Sequence, residues 1–80
     1  MPSGSQIRAA RGLIGISAVE LAARAGVTLK TVQRFESVEG VPANRRGTLE
    51  RIKAALEAEG IEFIGDPIAS PGVRFNRKPG

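Results

Sequence analysis

Apolar residues recur at helical spacing in four stretches of this chain and at alternating positions in two more. Ile7, Ala10 and Ile14 stand at i, i+3 and i+7, with Leu13 beside them, which is the apolar stripe of a first helix. Ser3 or Ser5 can cap its start. Gly12 and Gly15 are poor helix formers, and Gly15 is expected to end the helix. Ser17 then opens a second helix, with Glu20 three residues on completing a Ser-x-x-Glu capping box. Leu21, Ala22 and Ala25 give it a narrow buried face, and Gly26 stops it.

A third helix follows after a very short turn, with Thr28 as its expected cap. Val32 and Phe35 point one way, while Lys30, Gln33, Arg34 and Ser37 fall at helical spacing and point another. Gly40, Val41 and Pro42 break the chain, and a loop carrying Arg45 and Arg46 leads to a fourth helix starting near Thr48. Leu49, Ile52 and Leu56 form its core stripe, and Gly60 ends it. After that the period changes from helical to alternating. Ile61-Glu62-Phe63 and Val73-Arg74-Phe75 read as two strands, with Asp66-Pro67 and Pro71-Gly72 marking the turn between them. A two-stranded hairpin is marginal alone in water, so it must lie on the helices or pair with another chain. The expected organisation is one domain: helices over 5–59, a hairpin extension over 60–76, and loose ends at 1–4 and 77–80.

Composition narrows the chemistry. Eighty residues suit one small domain and not two. With no Cys there is no disulfide frame, thiolate metal site or cysteine nucleophile, and with no His the commonest general base and metal ligand is missing. Glu57 and Glu59 lie two apart on a helix and do not face each other, so they are no acid pair. Gly12-x-x-Gly15 follows a helical pattern and not a strand, so it is no phosphate loop. We therefore expect a binding module without cofactor or metal, and not an enzyme. No apolar run reaches membrane-spanning length, and Met1-Pro2-Ser3-Gly4-Ser5 lacks the apolar stretch of a signal peptide; a cytoplasmic protein is expected.

The net charge of +4 is unevenly placed. Residues 1–53 carry +5, residues 54–73 carry −4 and residues 74–80 carry +3. A basic part beside an acidic one points to a polyanion partner on one side only. The basic part also holds two short helices joined by a tight Gly turn, with a polar, cationic second helix. That is the helix-turn-helix arrangement. Ala22 must be small where the two helices cross, and Leu21, Ala25, Val27, Val32 and Phe35 fill the wedge between them.

The segment from Ile7 through Ala22, followed by Ala25-Gly26-Val27-Thr28 and Val32-Gln33-Arg34-Phe35-Glu36, resembles the Cro/repressor, or XRE-type, family of helix-turn-helix proteins. The likeness covers roughly residues 5–57, and the endings Gly60-Ile61-Glu62-Phe63 and Gly72-Val73-Arg74-Phe75 are similar to those of short bacterial members. It implies a mainly α, lambda-repressor-like four-helix domain with a short C-terminal β-hairpin. It also implies a bacterial transcriptional regulator, a repressor that binds double-stranded DNA as a homodimer. The third helix would lie in the major groove, with Thr28, Leu29, Lys30, Thr31, Gln33 and Arg34 as base readers. Ser17, Ala18, Arg45, Arg46 and Arg11 would contact phosphates. Arg11 and Glu36 match an ion pair that braces the third helix in similar proteins. Ile61, Phe63, Ile64, Val73 and Phe75 are the expected dimer surface, two hairpins joining edge to edge.

The chain departs from the family pattern in three places. Ala18 stands where many relatives have Gln, Val19 where a charge is usual, and Leu29 where a polar base reader is common. Leu29 could pack on thymine methyls. Alternatively Ala18, Val19 and Leu29 form an apolar patch for a protein partner, as in an antiactivator or antitoxin-like module.

Overall fold

The computed structural model describes residues 1–43 and 47–77. It contains four helices, α1 (Gly4–Ile14), α2 (Ala18–Ala25), α3 (Leu29–Glu36) and α4 (Thr48–Ala58), followed by strands β1 (Ile61–Ile64) and β2 (Gly72–Phe75). The strands pair antiparallel in the register Ile61 with Phe75, Glu62 with Arg74, Phe63 with Val73 and Ile64 with Gly72. The domain is mainly α, with the hairpin at its C-terminal end.

Local chemistry sets most of the boundaries. Ser3, and not Ser5, caps α1, in a reciprocal box with Gln6. Ser17 and Glu20 form the same box on α2. Thr28 caps α3 by accepting the Thr31 N–H at 3.2 Å. Gly26 closes α2 in the left-handed conformation, φ 69°, which an L side chain resists. The Val27 N–H then turns back to the Ala22 carbonyl at 3.0 Å, so only three residues, Gly26 to Thr28, separate α2 from α3.

The core lies between all four helices and one face of the hairpin. Ile7 and Ala10 from α1, Leu21, Ala22 and Ala25 from α2, Val32 and Phe35 from α3, and Leu49, Ile52 and Leu56 from α4 are buried together with Ile61. Full burial of an aliphatic side chain of this size contributes about 1.5–3 kcal/mol. α2 packs on both α3 and α4, α1 on α3 and β2, and α4 on β1. Leu13, placed beside the α1 stripe from the sequence, is instead 49% exposed. It stands about 100° around the helix from Ile14, on the flank of the face that meets the core.

Two further expectations are corrected. Residues 2–4 are not loose: Pro2 and Ser3 are fully buried. Gly4 lies so close to the end of α3 that a Cβ there would overlap the carbonyl oxygens of Phe35 and Val38. The expected hairpin dimer surface also fails for Ile61, which is only 4% exposed and belongs to the core. Phe63, Val73 and Phe75 share its face of the hairpin and pack against that core, while Ile64 alternates to the outer face. The hairpin thus closes its own domain with its apolar face.

Gln6 fixes the hairpin to α1. Its side-chain oxygen accepts the Ser3 N–H at 2.9 Å, and its amide nitrogen donates to the carbonyls of Ile64 at 3.2 Å and Gly72 at 2.9 Å. Those two residues are the last pair of the ladder. A buried amide with both ends satisfied ties the chain's start to its end.

Candidate nucleic-acid interface

α3 carries most of the residues singled out from the sequence, and its position is set by α1. Glu36, at the last turn of α3, is 7% exposed. Its carboxylate accepts from Arg11 Nε at 2.8 Å and from Arg11 Nη2 at 2.9 Å, a bidentate pair. Arg11 Nη1 also donates to the Ile16 carbonyl at 3.3 Å. The Glu36 hydrogen bond holds the Arg11 pKa above its ordinary value, with burial opposing in part. Arg8, one turn earlier on α1, donates to the Glu36 backbone carbonyl. Two cations of α1 therefore hold the C-terminal end of α3, where the helix dipole is negative.

Arg11 and Glu36 were legible as a pair. Its expected phosphate contact is left to the two guanidinium N–H bonds that these links do not use. Arg8 was not singled out. The available signal was its place three residues before Arg11, which puts both cations on one helix face.

The outer face of α3 is different in kind. Thr28, Lys30, Gln33 and Arg34 are exposed, Leu29 is partly exposed and Thr31 is half-buried. Among the described residues, no hydrogen bond or ion pair engages the side chains of Lys30 or Gln33. The Arg34 guanidinium stands 5.5 Å from the centroid of the Phe35 ring, a cation–π contact on an exposed residue. The Thr28 and Thr31 hydroxyls bond each other at 3.0 Å. The face therefore offers two cations, an amide and a hydroxyl pair within two helical turns.

Beside it, Ser17 and Glu20 satisfy each other at the start of α2: the Ser17 N–H donates to the Glu20 carboxylate at 3.1 Å, and the Glu20 N–H to Ser17 Oγ at 3.1 Å. Among the described residues, no side chain takes the first-turn N–H groups of Ala18 and Val19. Val19 is well exposed on this helix. Arg45 and Arg46, expected as phosphate clamps, lie outside the described residues. Among the described residues, no helix is long and apolar enough to cross a membrane. Compared with models of known protein families and with curated proteins, this sequence matches none.

Proposed function

We propose that α2 and α3 form a helix-turn-helix unit that binds double-stranded DNA in a sequence-specific way, as part of a homodimeric transcriptional repressor. The observation that carries this reading is the outer face of α3. Its cations and amide have no side-chain hydrogen bond or ion pair among the described residues, yet the helix beneath them is held at both ends. Such a face is preorganised for an external polar partner, because little ordering remains to be done on binding.

In this reading the N-terminal half of α3 enters the major groove. Lys30 and Arg34 donate to guanine O6 and N7, Gln33 pairs with adenine, and Leu29 and the Thr31 methyl meet thymine methyls. The free N–H groups at the start of α2 take a phosphate, with Arg45 and Arg46 as further cations. A single unit of this size makes few contacts. Two copies on half-sites about 34–36 Å apart double them.

Selection of bound sequences from a random duplex library, followed by anisotropy titration at physiological salt, tests the reading. A preferred sequence bound at least 10³-fold more tightly than random duplex is expected. Equal affinity for both would sink it.

A second reading, a helix-turn-helix fold used to bind protein, draws on the exposure of Val19 and Leu29 at the start of α2 and α3. It expects Val19→Ser with Leu29→Ser to abolish a stable complex with another protein, while Lys30→Ala leaves that complex intact.

A further inference from the structure

We propose that the uncharged outer face of α1, with the groove beside β2, is the surface on which a second copy of this chain docks, antiparallel, about a two-fold axis at Ala9. This rests on the homodimer proposed above and names its interface.

Three faces of α1 are already accounted for. Ile7 and Ala10 enter the core, Arg8 and Arg11 turn to α3, and Gln6 turns to the hairpin. The face that remains holds Ser5, Ala9, Gly12 and Leu13, which fall within about a third of a turn of one another. None is ionisable, in a chain with 25% charged residues. Leu13 stands out from it, 49% exposed.

Nothing among the described residues requires glycine at position 12. It is a poor helix former inside a helix, and a Cβ built on it meets nothing within 4 Å among those residues. Close approach of another backbone would supply the reason.

The complement of Leu13 lies on the same face. A groove of about 240 Å³ runs between α1 and β2, lined by Ser5, Gln6, Ala9, Pro71, Gly72 and Val73. It has no charged wall. In an antiparallel pair with Ala9 opposite Ala9, residue 13 of one copy lies level with residue 5 of the other. The rotation axis, perpendicular to the plane of the two helices, keeps the groove sides of both copies together. Leu13 of each copy then enters the groove of the other. One patch supplies both knob and hole, as an isologous interface requires.

The contact is modest. Eleven helical residues span about 16 Å. With the adjoining strand this gives an interface on the order of 400 Å² per copy, about half that of a standard stable complex. The dimer should therefore be weak in free solution and favoured when DNA holds two copies side by side.

The chain has no cysteine, so single introduced thiols report the geometry without background. Ala9→Cys, at the axis, is expected to form a disulfide-linked dimer without DNA at least ten-fold faster than Ile68→Cys, whose side chain is 66% exposed on the hairpin loop. Leu13→Glu is expected to weaken self-association in sedimentation equilibrium at least ten-fold, with an unchanged melting curve. Equal rates for the two thiol variants, or wild-type association of Leu13→Glu, would place the dimer elsewhere and overturn the proposal. A monomer at all concentrations, free and on the selected DNA, would overturn the homodimer as well.

Discussion

The outer faces of α3 and of the hairpin are both polar and both exposed, yet they treat their charges in opposite ways. On the hairpin, Arg74 pairs with Glu62 directly across the strands, and Asn76 donates to the same carboxylate at 2.7 Å. The Asp66 carboxylate accepts the N–H groups of Ile68 at 2.8 Å and Ala69 at 2.7 Å within its own loop. Each of these groups is satisfied locally. On α3 the exposed cations and the amide have no such partners among the described residues, and the acid that steadies the helix, Glu36, lies on the opposite side against α1. A face that neutralises itself resists unwanted pairing. A face that leaves its donors open has something to offer a polyanion.

The largest expected effect separates the two faces by binding. Lys30→Ala combined with Arg34→Ala should cost about 1–3 kcal/mol of DNA affinity per lost base contact, with stability unchanged within about 0.5 kcal/mol. Arg74→Ala, which removes one positive charge from the hairpin, should leave sequence preference intact. Anisotropy titrations of both variants against the selected duplex make the test. Equal losses from the two faces would reduce the reading to nonspecific charge.

Next comes the brace under α3. Arg11→Ala strands the buried Glu36 carboxylate and should destabilise the domain by about 3 kcal/mol in urea melts. Replacing both partners, Arg11→Met with Glu36→Leu, should recover most of that loss. If Arg11→Ala melts like the parent protein, the pair does not hold α3. Gln6→Leu is the equivalent break for the hairpin. It leaves the Ser3 N–H unpaired and removes both donors at the ladder's end, at a cost of about 2 kcal/mol. Amide exchange should then rise in 60–76 before it rises in α3, and uniform acceleration would contradict the role given to Gln6.

The smallest effect is one of pH. Hydrogen bonds from Arg74 and then Asn76 hold Glu62 below its ordinary value of 4.5. Those from Ala69 and then Ile68 hold Asp66 below its ordinary value of 3.8. A depressed carboxyl contributes stability that is present above its unfolded value and lost as pH falls through the folded one. Local loosening of the hairpin loop is therefore expected in acid, below those ordinary values. The amide shifts of Ile68 and Ala69 in an NMR titration report it, and an Asp66 midpoint at or above 3.8 would count against the loop geometry.

Much of this molecule was legible in its residues because the signals are local. Ser17 with Glu20, Thr28 before α3, and Gly15 and Gly26 after their helices each act through bonds only a few residues long. The stripes of α2, α3 and α4 repeat at the helical period and need no distant information. The polar face of α3 is the remainder of such a stripe, so its exposure was also readable.

The sequence by itself thus determined the elements, their order and which side chains each holds away from its apolar stripe. What only the tertiary structure decided is where faces of intermediate character turn. Leu13, beside the apolar stripe of α1, turned out exposed, because α3, α4 and the hairpin leave its face of that helix uncovered. Ile61 looked available to a partner and is held by its own domain, because α4 reaches it first. Gln6 and Gly4 gained their meaning from residues more than thirty positions away. Local bonds are written in adjacent letters, whereas burial depends on which surfaces meet, and that is settled only when the whole chain has closed.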